Sequence, residues 1–175
     1  MMTVSALPLV SPALSGVHVA VGVVDVVVLA PAPRGRRDRW RVLTLRRAAG
    51  VRCTGAWELV HGRIEPGEHP AAAARRELFE ETGLPLQRLY SIGVHPFYLV
   101  PPNTVQLAVV FAAVVDATPA VLLSAEHDAS MWRTPAAAIR HLAWPREHDA
   151  VRTAMHLLRH GDAGAVEDVL LVPAP

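Results

Sequence analysis

A chain of 175 residues has the size of one domain and is long enough to bury a core. Its hydrophobic fraction of 51% excludes a disordered chain, and a net charge of +1 excludes a global field that would recruit nucleic acid or a membrane. The single cysteine, Cys53, excludes an intrachain disulfide and a thiolate zinc site. All 17 basic residues are arginine; alongside so much Ala, Val and Pro, this reads as the coding bias of a GC-rich genome.

Residues 1–16 read as a loose arm. They lack a basic start, and Pro8 and Pro12 interrupt their apolar run, so they do not resemble a signal peptide. Val17–Leu29 is dense in valine, whose branched side chain suits a strand, here a central one bent at Gly22. The longest apolar run, Val17 to Ala30, is too short to span a membrane as a helix and carries His18 and Asp25, which predicts a cytoplasmic protein. Residues 31–39 form a loop, and Trp40–Arg47 returns as the second strand of a hairpin. After a glycine-containing loop comes a short strand, Trp57–Val60. Gly62 to Glu68, with its Pro66-Gly67 turn signal, is a loop, and Pro70 opens a helix over 70–82 that Gly83 ends. Ala71, Ala74 and Leu78 form the apolar stripe of that helix.

Leu89–Tyr98 and Val105–Val115 read as strands joined by Pro101-Pro102-Asn103, and residues 116–125 as a loop. Glu126–Arg133 is a short strand, Thr134-Pro135 caps a helix over 135–142, and a last helix spans about 147–160. Residues 161–175 read as a tail, which leaves one domain over 17–160. Strands interleave with helices in a mixed α/β pattern.

Five of the nine glutamates fall between Gly62 and Leu84. Glu77, Glu80 and Glu81 stand at i, i+3 and i+4, so a helix places them on one face, where like charges repel. A hard divalent cation among them relieves that repulsion.

The run Gly62-x5-Glu68-x7-Arg76-Glu77-Leu78-x-Glu80-Glu81-x-Gly83-Leu84 fills every defining position of the Nudix box, and the chain resembles the Nudix (MutT-like) hydrolase family. The resemblance implies an α/β/α sandwich with a mixed central sheet and a loop-helix-loop catalytic motif. It implies hydrolysis of a nucleoside diphosphate linked to a group X, with Mg²⁺ or Mn²⁺ as cofactor. It assigns Glu77, Glu80 and Glu81 as metal ligands, joined by a backbone carbonyl near His61–Gly62, and Arg76 as the residue that holds Glu68 or Glu77. Glu126, six residues before Trp132, resembles the further glutamate that this family draws from a later loop. Glu77, Glu80 and Glu126 all stay open as the general base, and the neighbouring His127 reads as a surface residue.

The stretch from Glu126 to Arg159 resembles the dihydroneopterin triphosphate and dNTP pyrophosphohydrolase branch, although Trp144-Pro145-Arg146-Glu147 departs from it where an Asn is usual. Tyr98, Asn103 and Trp144 are the weaker candidates for binding substrate, and Trp40 could equally stack or fill the core. The expected partner is a small nucleotide, without membrane and without nucleic acid as the leading reading, and the apolar content permits a homodimer. Two alternatives stand beside it. One is an RNA 5′-end pyrophosphohydrolase using the cluster Arg34, Arg36, Arg37, Arg39 and Arg41. The other is a non-catalytic nucleotide sensor, disfavoured by the complete set of box glutamates.

Overall fold

The computed structural model describes residues 16–116 and 120–174; most of the predicted N-terminal arm and part of the loop 116–125 lie outside them. The valine-rich run forms strand β1 (His18–Pro31), which turns back into β2 (Trp40–Arg47). Alternation along β1 sends Val24, Val26, Val28 and Ala30 into one apolar core and Val27 and Leu29 into the other, so valine serves both faces of a buried strand. Near Gly22 the register slips between Ala20 and Val23, a bulge at the expected bend.

Next come β3 (Trp57–Glu58), β4 (Val60–Arg63), helix α1 (Pro70–Thr82), β5 (Leu86–Leu99), β6 (Thr104–Val115), β7 (His127–Arg133), α2 (Pro135–His141) and α3 (Pro145–Leu157). The strands make one mixed sheet in the order β3-β2-β1-β6-β5, with β4 on β1 and β7 on β2. β1 and β6 are parallel, while β5 and β6 are antiparallel. Helix α1 covers one face through Ala73, Ala74 and Leu78. Helices α2 and α3 cover the other through Ala138, Ala150, Val151 and Ala154, giving three layers, α/β/α. Among the described residues no helix is long and apolar enough to cross a membrane.

The predicted strand 57–60 is divided at Leu59. Trp57–Glu58 pairs with β2 and Val60–Arg63 with β1, so the chain changes neighbours there. The Leu59 N–H, left without a strand partner, donates to Glu147 Oε1 at 3.2 Å. Ala73, not Ala71, is the fully buried alanine beside Ala74 on α1. Helix α3 begins at Pro145 and not at Glu147, because a proline at the first helical position loses no hydrogen bond. The segment read as a tail folds back: a 3-10 turn (Gly164–Val166) leads to α4 (Glu167–Leu170), Tyr90 Oη donates to Glu167 at 2.9 Å, and the Val172 N–H donates to the Leu89 carbonyl at 2.8 Å.

Trp40 belongs to the core. Its Nε1–H donates to the Leu158 carbonyl at 2.7 Å, tying β2 to the end of α3. Trp40→Phe removes that buried donor and leaves a small void, at an expected cost of about 2 kcal/mol. Urea unfolding measures it, and a loss under about 0.5 kcal/mol would show that the bond holds nothing.

Candidate active site

Helix α1 and strand β4 build the centre of the site. Proline at its first turn starts α1, and Gly83, at φ 66°, ends it with its N–H on the Phe79 carbonyl. Between these ends the helical period turns Glu77 and Glu81 toward the sheet and leaves Glu80 outward, its side chain 56% exposed. Glu77 lies directly against Gly62 on β4, in space that any side chain at that position would fill. Glu81 is buried, accepts a hydrogen bond from the His61 N–H, and keeps Oε2 without a partner among the described residues. Burial, then the nearby carboxylates of Glu58 and Glu77, push its pKa up to about 9.

Arg76 organises the other acids of the box. Its Nη2 lies 2.9 Å from Glu68 Oε2 and its Nη1 lies 2.7 Å from Glu77 and 3.1 Å from Glu80. It also donates to the Arg63 carbonyl at 2.8 Å, which fastens the helix to the end of β4. The hydrogen bonds from Arg76 and the Glu65 backbone hold the Glu68 carboxyl below its usual range.

A second group, in which Arg47 and Glu58 are not singled out by the sequence, acts electrostatically on Glu81. Glu58 on β3 is buried and lies 2.9 Å from Arg47 Nη1 and 3.1 Å from His127 Nε2. Burial opposes its charge, but the hydrogen bonds from His127 and Arg47 outweigh burial and lower its pKa. His127, expected at the surface, has a fully buried side chain: β7 pairs with β2 and turns this residue inward. Glu126, one residue earlier, keeps its side chain 61% exposed with Oε2 at 3.5 Å from Arg47 Nη2. Glu58 and Glu126 both add to the upward shift of Glu81, which places all three in one electrostatic neighbourhood.

On the α3 side of the sheet lies a further polar system. Asp25, the acid inside the valine run, is fully buried and is met by His61 Nδ1 at 2.6 Å and by Arg146 Nε at 2.9 Å. The Arg146 guanidinium stands 4.5 Å from the ring centre of Phe97 and 5.6 Å from that of Trp144. Among the described residues Oε1 of Gln106, the cross-strand neighbour of Phe97, and Nδ1 of His95 are buried without a partner. His61 thus touches both systems, through its backbone to Glu81 and its side chain to Asp25. Trp144 joins this group. Tyr98 and Asn103 do not: Tyr98 pairs with Val105, one residue out of phase with Phe97, and so faces the opposite side of the sheet. There the Tyr98 hydroxyl bonds to Asn103, whose amide reaches the Gly16 carbonyl. Both anchor the start of β1. The arginines at positions 34, 36, 37 and 39 surround a hollow at the β1–β2 loop together with Arg159. Arg41 pairs with Asp38 at 4.0 Å.

The donor set fits a hard divalent cation. Among the described residues no ion pair reaches Glu81, whereas Arg76 pairs with Glu68, Glu77 and Glu80, and Arg47 pairs with Glu58 and Glu126. Its orphaned Oε2, with Glu77 in the cradle left by Gly62, makes an oxygen-lined position that lacks a positive charge. Among the described residues no three His, Cys, Asp or Glu side chains converge as a finished cage. Mg²⁺ does not require one, since it is commonly held by one or two carboxylates with waters and substrate phosphates.

Comparison with known proteins bears on the family and the fold. The family model described as NUDIX domain matches residues 21–154. Among solved structures, the Ap4A hydrolase of C. elegans is similar at a TM-score of 0.64 and 20% identity, over 81% of this chain and 99% of that one. The dihydroneopterin triphosphate pyrophosphohydrolase of E. coli is similar at 0.58 and 23% identity, over 74% of this chain and 92% of that one. At such identities the likeness is one of fold. Among curated proteins, an octanoyltransferase of Myxococcus xanthus is 38% identical over 124 residues, which is 69% of this chain and 34% of that protein. RNA pyrophosphohydrolase of Cereibacter sphaeroides is 44% identical over 51 residues, 27% of this chain and 32% of that protein. The chain thus spans about a third of the length of the curated relatives it matches.

Proposed function

Since the chain belongs to the Nudix hydrolase family, whose model matches residues 21–154, we propose that it is a pyrophosphohydrolase using Mg²⁺ or Mn²⁺ to cleave a (deoxy)nucleoside or pterin triphosphate to the monophosphate and pyrophosphate. The observation that carries this reading is Glu81, a buried carboxylate with an unpartnered oxygen and no cation beside it among the described residues. Glu77, Glu80 and Glu81, with the backbone at Gly62, would hold the metal. When bound, such an ion neutralises diphosphate charge and lowers the pKa of a bound water. Arg76 orients Glu68, Glu77 and Glu80, and Glu126 is poised at the open side of the group to accept a proton or add a ligand.

The system around Asp25 supports a nucleotide or pterin as substrate. Phe97 and Trp144 lie against the Arg146 guanidinium, and Gln106 and His95 carry buried, unspent hydrogen-bonding capacity among the described residues, so a planar heterocycle entering beside Arg146 would meet both aromatic surface and polar partners. Arg146→Lys keeps a charge opposite Asp25 but loses the planar fork and the stack. It is expected to raise KM about tenfold with kcat within about threefold, the pattern of lost ground-state binding. A change in kcat alone would remove Arg146 from recognition.

RNA 5′-end pyrophosphohydrolysis is the second reading, favoured by the 51-residue match and by the arginine-lined hollow at the β1–β2 loop. Acyl transfer is not carried over from the octanoyltransferase, since about two thirds of that protein has no counterpart here. One experiment separates the readings: turnover with Mg²⁺ on dNTPs, dihydroneopterin triphosphate, ADP-ribose, dinucleoside polyphosphates and 5′-triphosphate RNA, with products resolved. Activity on RNA that falls steeply with salt supports the second reading, and no turnover on any substrate sinks both.

A further inference from the structure

Arg47 stands where two carboxylates of different character meet. Its Nε donates to the Arg52 carbonyl at 2.6 Å and its Nη1 to Glu58 at 2.9 Å, which leaves Nη2 facing Glu126 Oε2 at 3.5 Å. Glu58, 5% exposed, is met at the same Oε1 by Nε2 of the buried His127 at 3.1 Å. The guanidinium is therefore fixed at two of its three nitrogens before it reaches the exposed acid. The backbone repeats the arrangement: Arg47 is the register partner of His127, and the Ala48 N–H donates to the Glu126 carbonyl at 2.8 Å.

An arginine needed only to neutralise Glu58 would gain little from a third contact with an exposed carboxylate, because such pairs are worth little by themselves. What the contact supplies is direction. A long side chain on a loop is held on the Glu58 side by a fork that is already immobile.

We propose that Arg47 and Glu58 are a positioning pair, with His127 as its buried anchor, that sets the place of the Glu126 carboxylate relative to the acids of α1. The proposal rests on the reading of Glu126 as part of the reaction centre, and it assigns work to three residues outside the box. Neither Arg47 nor Glu58 touches substrate in this scheme; both act through Glu126.

A double-mutant cycle tests it, read in Mn²⁺ binding (the free-ion resonance signal) and in steady-state kinetics on the substrate that the screen identifies. Arg47→Lys keeps a cation beside Glu58 but loses the planar fork that reaches two carboxylates, and Glu58→Gln removes the charge that holds Arg47 while preserving shape. Each is expected to lower kcat about tenfold with KM within about twofold, and to weaken Mn²⁺ as far as Glu126→Gln does. In the Glu126→Gln background each should have under about a twofold further effect. Thermal melting keeps a folding defect apart from a positioning one, and if one variant is unfolded the other completes the cycle. Effects that multiply, or full activity in both single variants, overturn the pair. Wild-type Mn²⁺ binding in Glu81→Gln would instead overturn the metal-site reading, so the two failures are distinct.

Discussion

Glu81→Gln is expected to abolish Mg²⁺-dependent turnover, by at least about 1,000-fold or about 4 kcal/mol, and to make the metal-free protein more stable above neutral pH. Both effects follow from one placement. The carboxyl is buried beside Glu58 and Glu77, which raises its pKa from 4.5 to about 9. Because the folded pKa lies above the unfolded one, the native state binds the proton more tightly. The stabilisation from that proton is complete below about pH 4.5 and is lost as pH rises toward 9. Glutamine does not titrate, so the variant's advantage in melting temperature with EDTA should be near zero at pH 5 and grow toward pH 9. If Glu81 is a ligand as proposed, metal binding displaces the same proton, so Mn²⁺ affinity of the parent should rise with pH over this window, and calorimetry in two buffers should detect proton release. A variant that kept Mn²⁺ affinity, or whose stability ran parallel to the parent at every pH, would remove Glu81 from the metal site.

The parts of this site that can be read along the chain are those whose spacing is local. Glu77, Glu80 and Glu81 declare themselves because four residues complete a helical turn, and Pro70 and Gly83 mark the helix ends through backbone requirements that belong to one residue each. Trp40–Arg47 and the valine run are legible for the same reason, since alternation and branching act over neighbouring positions. Arg47, Glu58 and His127 are not, because their meaning lies in contacts across 11 and 69 positions of sequence. Glu58 sits between Trp57 and Leu59 in an apolar strand, and an acid in that setting is the only local trace of its partners. Asp25 in its valine run leaves the same trace, explained by His61 and Arg146, 36 and 121 positions away. His127 reads as exposed because Glu126 and Asp128 flank it, yet a strand alternates sides and puts the histidine inward. The fold-back of 161–174 had no periodicity to announce it; Leu171 and Val172 find partners only once Leu89 and Tyr90 are in place.

Gly62→Ala should inactivate the protein without unfolding it, and Gly67→Ala, in the loop that follows β4, should do the reverse. A Cβ at Gly62 would overlap the carboxyl carbon and both oxygens of Glu77. Those atoms are the free end of a flexible side chain, so the conflict resolves by moving Glu77 and not the backbone. Gly62 also lacks a positive φ, so alanine meets no backbone strain there. The displaced carboxylate leaves both Arg76 and the space beside Glu81, and turnover and Mn²⁺ affinity are each expected to fall at least about 100-fold, with melting temperature within about 3 °C. Gly67 offers the opposite case. Nothing lies near its Cβ position, but its φ of 79° strains any other residue, so Gly67→Ala should cost about 1 kcal/mol of stability and leave kcat within about twofold. Melting curves, Mn²⁺ titrations and rates on the two variants decide the matter together. If Gly62→Ala retained activity, the close approach of Glu77 to β4 would be incidental. If both variants lost stability and rate in parallel, β4 and the loop after it would be acting as a single structural unit, and the absent side chain at Gly62 would have no separate part in holding the metal.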